Sequence, residues 1–112
     1  MGYANYKDVK TAIASAEPFN HGYSMTGTRF VDEYVVRSYE TPILILNLTT
    51  GAYWLNEGHY SQVTARQQNI TRRAIVANPR RYSLRVERSA IETLREERRA
   101  ELAALRAEID IA

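Results

Sequence analysis

The chain has no cysteine, three prolines, five glycines and two histidines among its 112 residues. The lack of cysteine excludes disulfides, thiol nucleophiles, iron–sulfur clusters and thiolate zinc sites. It also favours a reducing, cytoplasmic setting, because small secreted domains lean on disulfides. Few glycines and prolines argue against disorder. His21 and His59 lie far apart and lack the i, i+4 spacing of a helical metal pair. No glycine-rich phosphate loop occurs, and Ser24 lacks the GxSxG setting of a nucleophile elbow. Asp32 and Glu33 are adjacent in an extended stretch, so they point to opposite faces and suit no paired acid–base chemistry. These absences predict a non-enzyme with no catalytic residues, no metal site and no cofactor. The longest apolar run, Ile43 to Leu46, falls far short of the roughly 20 residues of a membrane span. No apolar leader opens the chain, so no membrane partner is expected.

Lysine is scarce as well. Only Lys7 and Lys10 accompany the arginines, and the net charge of +2 hides a strong asymmetry. Residues 1–63 carry four basic and six acidic side chains, a net of −2, and residues 91–112 carry the same counts. Residues 64–90 carry seven arginines against the single acid Glu87, a net of +6. Arginine's planar fork suits phosphate and carboxylate.

The pattern predicts an α+β fold: a three- to four-stranded antiparallel sheet flanked by helices, with a long C-terminal helix. Residues 1–88 read as one α+β domain, and 89–112 as a helix packed on it or serving as an oligomerisation or partner-binding element. A first helix is expected over 6–16, capped by Asn5 and facing inward through Val9 and Ile13. Residues 17–28, with Gly22 and Gly27, read as a loop. A meander follows: Phe30 to Tyr39, then Ile43 to Leu46 with Pro42 just ahead of it, then Ala52 to Leu55 after the Thr49-Thr50-Gly51 turn. The unbroken run 43–46 implies burial on both faces. Ser61 or Thr64 caps a second helix reaching Ala77, with Val63, Ile70, Ala74 and Ala77 inward and Arg66, Asn69 and Arg73 along the edge of that face. Tyr82, Leu84 and Val86 alternate with polar residues as a short strand. Ser89 and Glu92 form a capping box for the last helix. Its stripe, Ile91, Leu94, Leu102, Leu105 and Ile109, repeats every 11 residues and is broken by Arg98. Glu92/Arg95, Glu96/Arg99, Arg98/Glu101 and Arg106/Asp110 can pair along its surface. The expected core is Val9, Ile13, Val36, Ile43, Ile45, Trp54, Ile70, Ala74, Ile91, Leu94 and Leu102.

Gly22-Tyr23-Ser24-Met25, Val36-Arg37-Ser38-Tyr39-Glu40-Thr41-Pro42-Ile43, Trp54-Leu55-Asn56 and Tyr60-Ser61-Gln62-Val63-Thr64-Ala65-Arg66-Gln67-Gln68-Asn69 follow one another in order. Together they resemble a family of small proteins common in mycobacteriophages and other actinobacterial phages. That family's pattern is an SYxTPI strand, a tryptophan-bearing strand and a YSxTTSRHQ segment leading into a helix. The likeness spans residues 22–75. Where the family has SRHQ, this chain has Ala65-Arg66-Gln67-Gln68, without the histidine. The resemblance implies a phage origin, and hence the cytoplasm of an infected bacterium, but no activity, because the family has no established biochemical role.

Three candidate sites emerge. Arg66, Arg72, Arg73, Arg80, Arg81 and Arg85 could track the phosphates of DNA or RNA, with Trp54, Tyr60 and Tyr82 as stacking partners. Alternatively, acids elsewhere in the chain neutralise them. Ser24, Tyr39, Tyr60, Thr64 and Gln68, with Thr41, Ser61 and Arg66, could line a polar pocket at a helix N-terminus, or simply cap the helix. Ile91, Leu94, Leu102, Leu105 and Ile109 could dock on the meander. They could instead make a homo-oligomer or a contact with a host or phage protein.

Overall fold

In the computed structural model, which describes residues 5–111, Asn5 caps α1 (Tyr6–Ala14): its side chain accepts from the Asp8 amide at 2.9 Å. Val9 and Ile13 are fully buried beneath it. The helix stops two residues before Ala16, which takes a φ of 51° and turns the chain toward the sheet without a glycine. Three distant side chains serve the carbonyl end that this exit leaves. Asn78 Nδ2 donates to the Ala14 carbonyl at 2.7 Å, Tyr82 Oη to that of Ile13 at 2.5 Å, and Tyr34 Oη to that of Glu17 at 2.8 Å.

The sheet has six strands rather than three or four: β1 (Phe19–His21), β2 (Met25–Phe30), β3 (Glu33–Ser38), β4 (Thr41–Asn47), β5 (Ala52–Leu55) and β6 (Leu84–Arg85), in that spatial order. Neighbours from β1 to β5 are antiparallel, and β6 runs parallel to β5. Residues 17–28 are therefore not a loop. Gly27 lies inside β2, where the Phe19 ring occupies the space beside it and a Cβ would run into that ring. Nor is Phe30 to Tyr39 one strand. The chain reverses at Val31-Asp32, and Val31 takes a φ of 56° that a β-branched residue rarely adopts. Pro42 sits where the β3–β4 register shifts, so its missing N–H breaks no regular ladder. Gly51 does take the expected positive φ, 78°, and packs against Ser83 with no room for a side chain.

β4 is buried on both faces. Leu44 and Leu46 join Val9, Ile13, Ile70 and Ala74 under α1 and α2, while Ile45 joins Val35 and Ile91 under the C-terminal helix. α2 spans Gln62–Ala77, and Ser61 rather than Thr64 is its cap. Val63 and Ala77 are exposed rather than inward, and buried Thr64, Gln67 and Thr71 take their place. α2 carries the chain from β5 across to β6, the crossover that a parallel pair needs.

α3 (Arg88–Ile111) begins one residue before the expected cap, so no Ser89/Glu92 box forms. The Ala90 and Ile91 amides bond to the Glu87 carbonyl, and the Glu92 carboxylate instead holds Arg88 at 2.7 Å and Arg95 at 3.3 Å. Ile91 is buried, Trp54, Leu94 and Leu102 are half-buried, and from residue 103 to 109 every side chain is exposed. Arg98 breaks the stripe because it reaches Asp32 at 3.3 Å and Glu101 at 2.9 Å. The Asp110 side chain, expected to pair with Arg106, lies outside the described residues. The overhang of α3 gives a long axis of 49 Å and a radius of gyration of 15.1 Å, against about 13 Å for a compact chain of this length. Among the described residues no helix is long and apolar enough to cross a membrane.

Tyr82→Phe removes one buried hydrogen bond, so the unfolding free energy should fall by about 1 kcal/mol with an unchanged denaturant slope. Burial raises the pKa of both the Tyr34 and Tyr82 phenols. The folded state therefore favours their protonated forms. Stability should be level with respect to these groups below the unfolded tyrosine pKa of about 10 and fall as pH rises above it. Denaturant titrations of a Tyr34→Phe/Tyr82→Phe variant should show a shallower alkaline fall than the native chain.

Candidate nucleic-acid interface

The six arginines expected to act together separate into three places. Arg66 and Arg73 lie about two turns apart on the edge of α2 and share a groove with Lys7 and Lys10 of α1. Tyr6, Lys7, Lys10, Arg66, Asn69 and Arg73 line an open groove of about 350 Å³ between the two helices. Four of its lining side chains are cationic and none is acidic. The Arg66 guanidinium lies over the Tyr6 ring, 4.8 Å from its centroid, and His21 stacks on Tyr6 at 4.2 Å. This stack anchors one end of the groove, since a cation held over an aromatic face loses freedom without losing charge.

Arg72 and Arg85 are elsewhere. Both reach Glu57, at 3.6 Å and 3.1 Å. The Arg85 hydrogen bond and charge, with Arg72 behind them, hold the Glu57 carboxyl below its ordinary pKa. Arg72 also donates to Asn69 Oδ1 at 2.6 Å. Arg80 and Arg81 follow α2 and line a separate hollow of about 400 Å³ with Thr50, Gly51 and Ser83, at the β4–β5 turn. Arg88, the seventh arginine of the segment, covers Trp54 at 4.2 Å.

Of the expected stacking aromatics, Tyr82 is buried and Trp54 is half-buried beneath Arg88. Tyr60 is 50% exposed, and Tyr23 and Tyr39 are more open still, at 91% and 55%.

The polar cluster is drawn together as a latch. Ser38 Oγ and Thr64 Oγ1 share a buried hydrogen bond of 2.8 Å, tying the first turn of α2 to the end of β3. Gln68 Nε2 donates to the Asn56 and Gly58 carbonyls at 2.8 Å and 3.1 Å, pinning the β5–α2 loop. Tyr60 Oη accepts from Asn56 Nδ2, and Ser24 Oγ donates to the His21 carbonyl. The Ser24 carbonyl accepts from the Tyr39 amide at 2.9 Å. Each polar group named here is spent on holding backbone in place.

Along α3, Ile91 and Leu94 dock on the sheet, Leu102 lines a pocket with Phe30 and Val31 of the β2–β3 hairpin tip, and Leu105 and Ile109 remain exposed. Among the described residues no three His, Asp or Glu side chains gather at metal-binding range. Sequence reasoning missed Lys7, Lys10, Tyr23 and Glu57 as parts of the surface. The i, i+3 spacing of the chain's only two lysines was visible, but nothing in it said that α1 lies along α2.

Glu57→Gln should release Arg72 and Arg85, and the variant should elute from phosphocellulose at higher salt than the native protein. Comparison with family models, with curated proteins and with solved structures finds no match.

Proposed function

We propose that this is a small, non-enzymatic, phage-type regulatory protein that binds nucleic acid. Its phosphate-tracking surface is the groove between α1 and α2. One observation carries the reading: Lys7, Lys10, Arg66 and Arg73 converge on an open groove lined by no acid. Clustered cations with no internal counter-charge bind a polyanion by releasing its condensed counterions, which gives a steep salt dependence. Arg80 and Arg81 extend the positive surface past the end of α2, whereas Arg72 and Arg85 contribute less while Glu57 holds them. The resemblance of residues 22–75 to a phage family supports the phage setting and a host-cytoplasm location.

Lys10→Ala combined with Arg73→Ala should lower the slope of log affinity against log salt by about 1.4 on single strands and about 1.8 on duplex. Arg72→Ala combined with Arg85→Ala should leave it nearly unchanged. Fluorescence anisotropy across a salt series reads both, and an unaltered slope in the Lys10/Arg73 variant removes the groove from the assignment.

The overhang of α3 favours a second reading, a protein-interaction module or homo-oligomer acting on a host or phage protein. Leu105 and Ile109 continue the apolar stripe past the sheet with nothing described against them, at 51% and 74% exposure. Under that reading, sedimentation equilibrium at high concentration shows self-association that Leu105→Asp/Ile109→Asp abolishes without altering the fold. A native chain that sediments as a monomer throughout ends the homo-oligomer version.

A further inference from the structure

The N-terminal ends of α1 and α2 lie at the same end of the sheet. Tyr6 at the start of α1 receives a hydrogen bond from Gln67 near the start of α2, and Ala14 at the other end of α1 receives one from Asn78 at the end of α2. The two helices thus run side by side in the same direction. Three exposed tyrosines gather at the sheet end where both begin. Tyr23 sits in the β1–β2 turn and Tyr39 in the β3–β4 turn, and the 2.9 Å bond from the Tyr39 amide to the Ser24 carbonyl fixes these turns against each other. Tyr60 precedes the α2 cap, and Asn56 Nδ2 bridges its hydroxyl to the Pro42 carbonyl at the start of β4. The Ser38–Thr64 bond joins the first turn of α2 to the same strand end.

From this juxtaposition we infer that the ligand is single-stranded nucleic acid, its backbone following the α1/α2 groove and its bases stacking on Tyr23, Tyr39 and Tyr60. The inference rests on the groove reading above and adds the strandedness of the ligand. A duplex hides its base faces and offers phosphates alone. A single strand offers phosphates and free π-faces, and a positive groove with exposed aromatics at the sheet end where its helices begin answers both. Tyr60 is tethered through its hydroxyl by Asn56 and still leaves half its surface in water, whereas no hydrogen bond among the described residues involves the Tyr23 or Tyr39 hydroxyl. Tyr23, at 91% exposure, buries little against its own chain, and Tyr39, at 55%, leaves more than half of its surface open. The rings read no particular base, so the expected preference is for strandedness over sequence.

The test is anisotropy with labelled oligo-dU, oligo-U and a mixed-sequence DNA duplex, at matched phosphate concentration and low salt. Both single strands should bind more tightly than the duplex; whichever of the two binds better identifies the sugar preference. Tyr23→Ala and Tyr39→Asn should each weaken single-strand binding roughly five- to 150-fold and leave duplex binding unchanged. Tyr23→Phe and Tyr39→Phe should restore it, because the ring stacks without its hydroxyl. Tyr39 takes a φ of 54°, which Asn suits, so the fold survives, and an unchanged denaturant midpoint verifies this. Equal affinity for strand and duplex, with tyrosine variants that bind like the native chain, overturns the stacking inference and leaves the groove reading standing through its salt slope. A native protein that binds none of the three probes overturns both.

Discussion

The arrangement depends on how α1 ends. A helix leaves its last carbonyls without partners, and many helices meet this with a glycine in the left-handed region. Here Ala16 makes the turn instead, and the carbonyls of Ala14, Ile13 and Glu17 are met by Asn78, Tyr82 and Tyr34. Each donor comes from a different element: the exit of α2, the approach to β6, and β3. Asn78 is also the C-cap of α2, so one side chain ties the ends of the two helices together. At their starts, the Gln67–Tyr6 bond and the Arg66–Tyr6 contact do the same. α1 is only nine residues long and would not persist alone in water. Fixed at both ends, it holds Lys7 and Lys10 opposite Arg66 and Arg73, and the groove exists because those ends are fixed.

Charge in this chain is sorted by geometry rather than by sequence position. The net of +6 over residues 64–90 marks the right helix but overstates it, because Glu57 draws Arg72 and Arg85 to one side and Trp54 takes Arg88. It also understates the groove, since half of the groove's cations come from a segment whose net charge is negative. The acids of residues 32 and 33 are spent on Arg98 and Arg95, on the opposite face of the sheet from the groove. These ion pairs are partly or largely solvent-exposed, where a pair is worth little in stability. Their larger consequence is the location of the positive field.

The elements with strong periodicity were legible: the two-sided run of β4, the inward face of α2 around Ile70 and Ala74, and the stripe of α3. What escaped the sequence depended on contacts with distant residues. β1 and β2 read as loop because Gly27 weakens a strand on propensity, and only the Phe19 ring packed over it reveals why it must be glycine. The Val31-Asp32 reversal escaped because the residue that takes positive φ is a valine, the type least suited to it. β6 was seen as a strand, but its parallel pairing depends on the crossover through α2, which periodicity does not encode. Of the site, Arg66, Arg73 and Tyr60 were in view, whereas Lys7, Lys10 and Tyr23 required the packing of α1 and the β1–β2 turn.

The free end of α3 offers less than its stripe suggests. Leu102 is half-buried and lines one pocket with Phe30 and Val31, which leaves Leu105 and Ile109 as the exposed stripe residues among those described. Burying a large aliphatic side chain contributes about 1.5–3 kcal/mol, so four such side chains across a twofold pair contribute about 6–12 kcal/mol. Association itself costs about 4–15 kcal/mol in lost freedom. The flanks narrow the options further. At 3.6 residues per turn, Arg99 and Arg106 fall on one side of the stripe and Glu101 and Glu108 on the other. An antiparallel pair sets like flank against like, and only a parallel pair brings Glu101 toward Arg106 of the second copy. On these magnitudes the exposed end of the stripe alone does no better than break even on self-association, whereas the four cations of the α1/α2 groove need no second copy to meet a polyanion.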